Sequence, residues 1–154
     1  MTTFVKWFLF NSIALTTLFL FEQKGAISTI VTNDLSHISI LIMVLYVLGS
    51  VYVGRLCYLA DQAKTIRDRE DLFKRMDIGW FAAEHFFSLG LLGTILGLTI
   101  ATQTSFEDTV TVSEVVAGLK VGLNTAFYTT ICGIIFSIPL QIQLMILKHE
   151  LDVS

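Results

Sequence analysis

Two stretches near the C-terminus, Leu89 to Ser105 and Gly118 to Ile138, are long, uncharged apart from Lys120, and carry Gly and Thr at helical spacing. At about 100° per residue, Gly90, Thr94, Gly97, Ala101 and Ser105 fall in one narrow stripe, with Leu92 and Leu96 pointing the other way. In the second stretch Gly118, Gly122, Thr125, Ala126, Thr129 and Gly133 share a face, opposite Phe127, Ile131, Ile134 and Ile138. Inside a bilayer, hydrophobicity no longer drives helices together. Small residues then permit close backbone approach, and hydroxyls pair across the contact or line a wet path. The pattern predicts two membrane helices packed around something polar.

The rest of the chain agrees with a multi-pass membrane protein. Of its 154 residues 54% are hydrophobic, and the mean hydropathy is +0.73, well above the needs of a soluble domain. A span takes about 20 predominantly apolar residues. Four segments qualify: residues 4–21, 38–60, 79–104 and 115–147, joined by a short charged connection at 61–78. No repeat, low-complexity tract or linker divides the chain, so residues 1–154 read as one all-α membrane domain whose C-terminal hairpin lines a central pore. Lys6, the apolar run Trp7 to Phe21 and Gly25-Ala26-Ile27-Ser28 also fit a secretory signal with its cleavage site; the segment is read as a retained first span.

Charge placement orients the spans. Lys64, Arg67, Arg69, Lys74 and Arg75 crowd the second connection, with Arg55 just before it, whereas Gln103 to Glu114 holds no Lys or Arg. The positive-inside rule puts the second connection and both termini in the cytoplasm, and the first and third connections outside a cytoplasmic (inner) membrane. Cys57 and Cys132 fall within spans and read as small apolar packing residues.

Local signals set the element ends. Asn33-Asp34-Leu35-Ser36 offers caps for the second helix. The mixed charges of Asp61 to Asp77 predict short helical extensions and a turn, with ion pairs Glu70–Lys74 and Asp71–Arg75. Thr111-Val112-Ser113-Glu114 fits a capping box that opens the last helix, leaving an outer loop from Phe106 to Ser113 short enough to make the last two spans antiparallel neighbours. Val115 to Leu147 would be about 50 Å long as a straight helix, against ~30 Å of hydrocarbon, so the surplus projects into the cytoplasm or the helix tilts. Pro139 cannot donate to the carbonyl of Ile135, which predicts a kink.

No metal-ligand spacing, phosphate loop, activated nucleophile or large basic patch is present, so neither an enzyme, a metal or cofactor site, nor a nucleic-acid partner is expected. Glu84 and His85 read as residues of the cytoplasmic entry of the third span, solvated at the headgroups and without a catalytic role, with Glu84 lining an ion path as the lesser alternative. From Phe86 to Leu147 the ionisable side chain at membrane depth is Lys120, near the outer interface. A proton carrier working alone would place an acid or His in its path, so another molecule must supply the titrating group.

Gly90-Leu91-Leu92-Gly93-Thr94-Ile95-Leu96-Gly97-Leu98 resembles the GLLGTVxG(L/M) signature in the penultimate helix of MotA/TolQ/ExbB-type proton-channel subunits. The run Gly122 to Pro139, with Thr130, Gly133 and Pro139 in register, resembles their last helix, GIxEALxxTAxGLxxAIP. The resemblance implies a ring of about five copies around a dimer of single-span ExbD/TolR/MotB-like partners, whose aspartate carries the proton that drives the motor. It also implies that Thr94 and Thr130 form hydroxyl rings near that aspartate, with Thr125 and Thr129 on the ion path, Gly90, Gly97, Gly118, Gly122 and Gly133 packing the helices, and Pro139 as the kink. Two positions depart from the pattern. Thr125 stands where TolQ- and ExbB-like chains have Glu, and the connection at 61–78 is far shorter than the cytoplasmic domain of MotA-like members. Two other readings remain open: a self-sufficient, holin-like pore, and a non-conducting scaffold in which Gly and Thr only pack.

Overall fold

The structure is a computed structural model that describes residues 2–103 and 111–153. Its elements are α1 (Thr3–Gln23), α2 (Ala26–Asn33), α3 (Ile38–Gln62), α4 (Ile66–Gln103) and α5 (Val112–Val153). Among the described residues there is no strand. Helices α1, α3, α4 and α5 are each long and apolar enough to cross a membrane. The chain is an all-α, multi-pass membrane protein.

Two connections differ from the sequence expectation, and the start of α5, placed as expected, is capped through a different hydroxyl contact. The charged connection is almost entirely helical: only residues 63–65 separate α3 from α4, and Asp71 pairs with Arg75 at 2.8 Å while no ion pair joins Glu70 to Lys74. The first connection holds the unanticipated α2, set off by Gly25 at φ 71° and ended at Asp34. Buried Asp34 organises the turn into α3, accepting from the backbone N–H and hydroxyl of Ser36 (2.9 and 2.6 Å) and from Ser39 N–H at 2.8 Å. At the start of α5 the Glu114 carboxylate accepts from the Thr111 N–H (2.8 Å) and hydroxyl (2.7 Å). The hydroxyl is therefore spent on Glu114, and Glu114 N–H donates to the Thr111 carbonyl instead. Most of the outer loop, with Ser105, lies outside the described residues.

Both ends of the chain meet at the basic end of the bundle. Asp61, in the last turn of α3, caps α1 by accepting from the backbone N–H groups of Thr3 (2.7 Å) and Phe4 (2.9 Å), and Lys6 pairs with Glu150 at 2.7 Å. Helix α1 leans on α3 and α5 and does not touch α4. The core is a column of Ile42, Val53, Phe86, Leu140, Leu144 and Leu147, each essentially inaccessible.

Contact register locates the surplus length of α5. The α2–α3 turn meets α5 at Thr125, whose hydroxyl donates to the Asn33 carbonyl and accepts from Leu35 N–H, both at 3.3 Å. Thr125 lies thirteen residues after Val112, or about 20 Å along the helix. The outer part of the α4–α5 hairpin therefore rises past the level of the other helices. The Lys6–Glu150 pair sets the other end of α5 level with the start of α1, so the surplus length of α5 lies on the hairpin side of the bundle. The α5 helix passes through Pro139 without interruption.

Candidate functional site in the α4–α5 seam

Helices α4 and α5 run antiparallel and come into backbone contact between Phe86 and Ala101 on α4 and between Gly122 and Gly133 on α5, because glycine removes the side chain where they meet. A Cβ on Gly97 would lie 2.5 Å from the Gly122 carbonyl oxygen and 2.6 Å from the Ala126 nitrogen. One on Gly90 would meet the Thr129 carbonyl at 2.9 Å, and one on Gly133 the Phe86 carbonyl at 2.7 Å. Gly122 abuts Ala101 and the Gly97 carbonyl, and Gly93, which the stripe analysis passed over, makes room for the Thr129 side chain. Gly118 is half-buried farther along the same helix. Lower down, Ser137 donates to the Ala83 carbonyl at 2.8 Å.

Along this seam the four threonines divide into two pairs. Thr94 and Thr130 face each other across the helices, half-buried, with their hydroxyls in direct hydrogen-bond contact. Backbone acceptors surround them: the Ala126 carbonyl lies 3.0 Å from the Thr130 hydroxyl and 3.3 Å from that of Thr94, and the Gly90 carbonyl 3.2 Å from Thr94 and 3.4 Å from Thr130. Two protons can thus be arranged in two ways. Thr94 donates to Thr130, which donates to Ala126, or Thr130 donates to Thr94, which donates to Gly90. Reversing the pair needs only two hydroxyl rotations, since the hydroxyl proton is free to turn.

Thr125 and Thr129 stay out of this pair, although they share the same sequence stripe: Thr129 packs on Gly93 of α4, and Thr125 faces the α2–α3 turn. Both are fully buried. Thr129 bonds back to the carbonyls of Thr125 (2.9 Å) and Ala126 (3.1 Å), and Thr125 holds the α2–α3 turn. A face at 3.6-residue period is wide enough to touch two neighbours, and here α4 takes one edge of it and the α2–α3 turn the other. Pro139 lies on neither edge of the threonine seam; it lines an apolar crevice with Phe10, Phe21, Ile30 and Met43.

The sequence reading missed a second polar group, between α1, α3 and α5. Buried Gln143 accepts from Trp7 Nε1 and from the Ser50 hydroxyl, both at 3.0 Å, and its amide reaches Asn11 Oδ1 and Tyr46 Oη at 3.4 Å. The Ser50 hydroxyl also lies 2.8 Å from Asn11 Oδ1. A Gln in the middle of an apolar run was the available signal, since such a residue in a span needs partners on other helices.

The family model described as MotA/TolQ/ExbB proton channel family matches residues 63–154, which contain the whole seam. No curated protein and no solved structure matches the chain.

Proposed function

We propose that this chain, which belongs to the MotA/TolQ/ExbB proton channel family, is the ring-forming subunit of a proton-driven motor in the cytoplasmic membrane. About five copies would surround a dimer of single-span ExbD/TolR/MotB-like partners, with both termini of each copy in the cytoplasm. Membership carries a proton-channel type of function in energy transduction; the ring, the partner and the orientation are this reading's additions. Its role is transport, not catalysis of a chemical conversion.

The observation that supports it is the Thr94–Thr130 pair. It sits half-buried at the edge of the seam, in two interchangeable hydrogen-bond arrangements, beside carbonyls that already have a donor. A partner carboxylate passing such a pair can accept a hydrogen bond from a hydroxyl when ionised and give it up when protonated. The energies are commensurate. One proton falling through 100 mV releases about 2.3 kcal/mol, and interhelical hydrogen bonds in membranes average about 0.6 kcal/mol, so each proton can reset several such contacts.

The test is a pair of conservative substitutions. Thr94→Val and Thr130→Val keep the shape and remove the hydroxyl. Each should leave the oligomer intact and cut partner-dependent proton flux into vesicles at least tenfold. Thr99→Val is the control, because that hydroxyl only bonds back to the Ile95 carbonyl of its own helix at 2.9 Å. Equal flux for all three variants would leave the threonines as packing residues and favour the scaffold; proton flux through the ring without any partner would favour the self-sufficient pore.

A further inference from the structure

The contacts between helices set Glu84 level with the middle of the apolar run of α3, and not at the end of a span as its place in the hydropathy pattern suggests. Its neighbour Ala83 accepts from Ser137, and the ring of Tyr46 of α3 packs tilted against Phe136 beside Ser137 with centroids 5.0 Å apart. His85 shares a crevice with Leu45, Leu48 and Gly49, and Gly49 is the midpoint of the apolar run from Ile38 to Ala60. Along α4 itself Glu84 lies nine residues, or about 13 Å, beyond Arg75, the last cation on that helix. A Glu side chain cannot bridge that distance to the headgroups.

Glu84 is also exposed on the single chain and, among the described residues, has no hydrogen bond or ion pair. An unpaired carboxylate at that depth does not face lipid: intramembrane acids turn toward a protein interior or a water-filled cavity. It lies on the α4 face away from both α3 and α5, which in a ring is covered by the pore or the next copy. Asp77 and Glu70 lie on the same face at seven-residue steps, about 10 Å each, leading down to the basic end.

We infer that Glu84 is a proton-carrying carboxylate of the chain itself, one per copy, in the half of the ion path nearest the cytoplasm, reached through water past Asp77 and Glu70. This rests on the proposed ring and extends it, since the partner aspartate is then the second acid on the path. Nothing ionisable on α5 faces Glu84 at its level, where Ser137 and Gln141 are found; α3 offers Tyr46 and Tyr52, with Arg55 a turn farther down, and α1 does not touch α4. On α4 the near groups are Asp77, Lys74 and His85, whose ring lies 3.8 Å from that of Phe81 and whose Nδ1 donates to the Phe81 carbonyl at 2.7 Å.

Carbodiimide labelling of the whole protein in phosphatidylethanolamine and phosphatidylglycerol vesicles tests this without the partner. Dicyclohexylcarbodiimide, which partitions into the bilayer and reacts with protonated carboxyls, should give one adduct per chain. That adduct should map to Glu84, vanish in Glu84→Gln and persist in Glu114→Gln. Its rate should fall about tenfold per pH unit once the group ionises. No adduct at all, or a rate independent of pH, would each overturn the assignment; protection by sodium at constant pH would overturn its proton selectivity. In vesicles holding ring and partner, Glu84→Gln should keep the oligomer mass and lower proton flux at least tenfold, with Glu84→Asp retaining part of it. Unchanged flux in Glu84→Gln would remove the residue from the path, whereas no flux in the unmodified protein would count against the motor reading and not against the labelling result.

Discussion

At the residue scale, the seam depends on what is missing from it. Gly97 and Gly122 let two backbones touch, and the Gly122 carbonyl is 2.5 Å from where a Cβ on Gly97 would be. A carbonyl on a helix cannot step aside as a side chain can, so the helices themselves must part. Gly97→Ala is expected to cost about 1–3 kcal/mol through such overpacking and to lower the detergent unfolding midpoint accordingly. Gly49→Ala makes the comparison, because its Cβ would meet only the flexible end of Leu140, at 3.1 Å. That variant should unfold within a few tenths of a kcal/mol of the parent; equal losses in both would mean that contact between backbones is not what sets stability.

At the element scale, the helices divide by task. Helices α4 and α5 make the seam, and α1 and α3 buttress α5 through Gln143. Gln143→Leu keeps the volume but strands Trp7 Nε1 and leaves Ser50 to Asn11 alone, so it should loosen α1 at a cost of about 1–2 kcal/mol. Faster proteolysis between α1 and α3, with the α4–α5 fragment still protected, would show it; unchanged cleavage would mean that Asp61 and the Lys6–Glu150 pair suffice to hold α1. The spans themselves were legible in the sequence, because an apolar run of twenty residues has few other fates. Helix α2 was not, since Ala26–Asn33 is too short and too mixed to announce itself. The register was not legible either. Hydropathy begins the third span at Gly79 and so leaves Glu84 near a surface, whereas only contacts such as Ser137 to Ala83 and Tyr46 to Phe136 show it level with the middle of α3. Likewise one stripe gathered Thr125, Thr129 and Gly133, and only the placement of the α2–α3 turn on Thr125 and of Gly93 on Thr129 separates these buried threonines from the Thr94–Thr130 edge.

At the scale of the whole molecule, one chain leaves too much uncovered. Leu91, Ile95, Phe127, Ile131 and Ile134 stand open on the α4–α5 side, and so does Glu84, which lipid does not accommodate. Lipid can cover the apolar residues. Only a neighbouring copy or a wet centre can cover the acid, so the α4–α5 side should face inward in a closed ring, with the α1 side toward lipid. Closure follows from a head-to-tail contact repeated by rotation. Native mass spectrometry of the protein released from mild detergent measures this directly. With a chain of 17.2 kDa, the account predicts one dominant species of about five copies, near 86 kDa before any partner is counted; a stable monomer as the dominant species would contradict it.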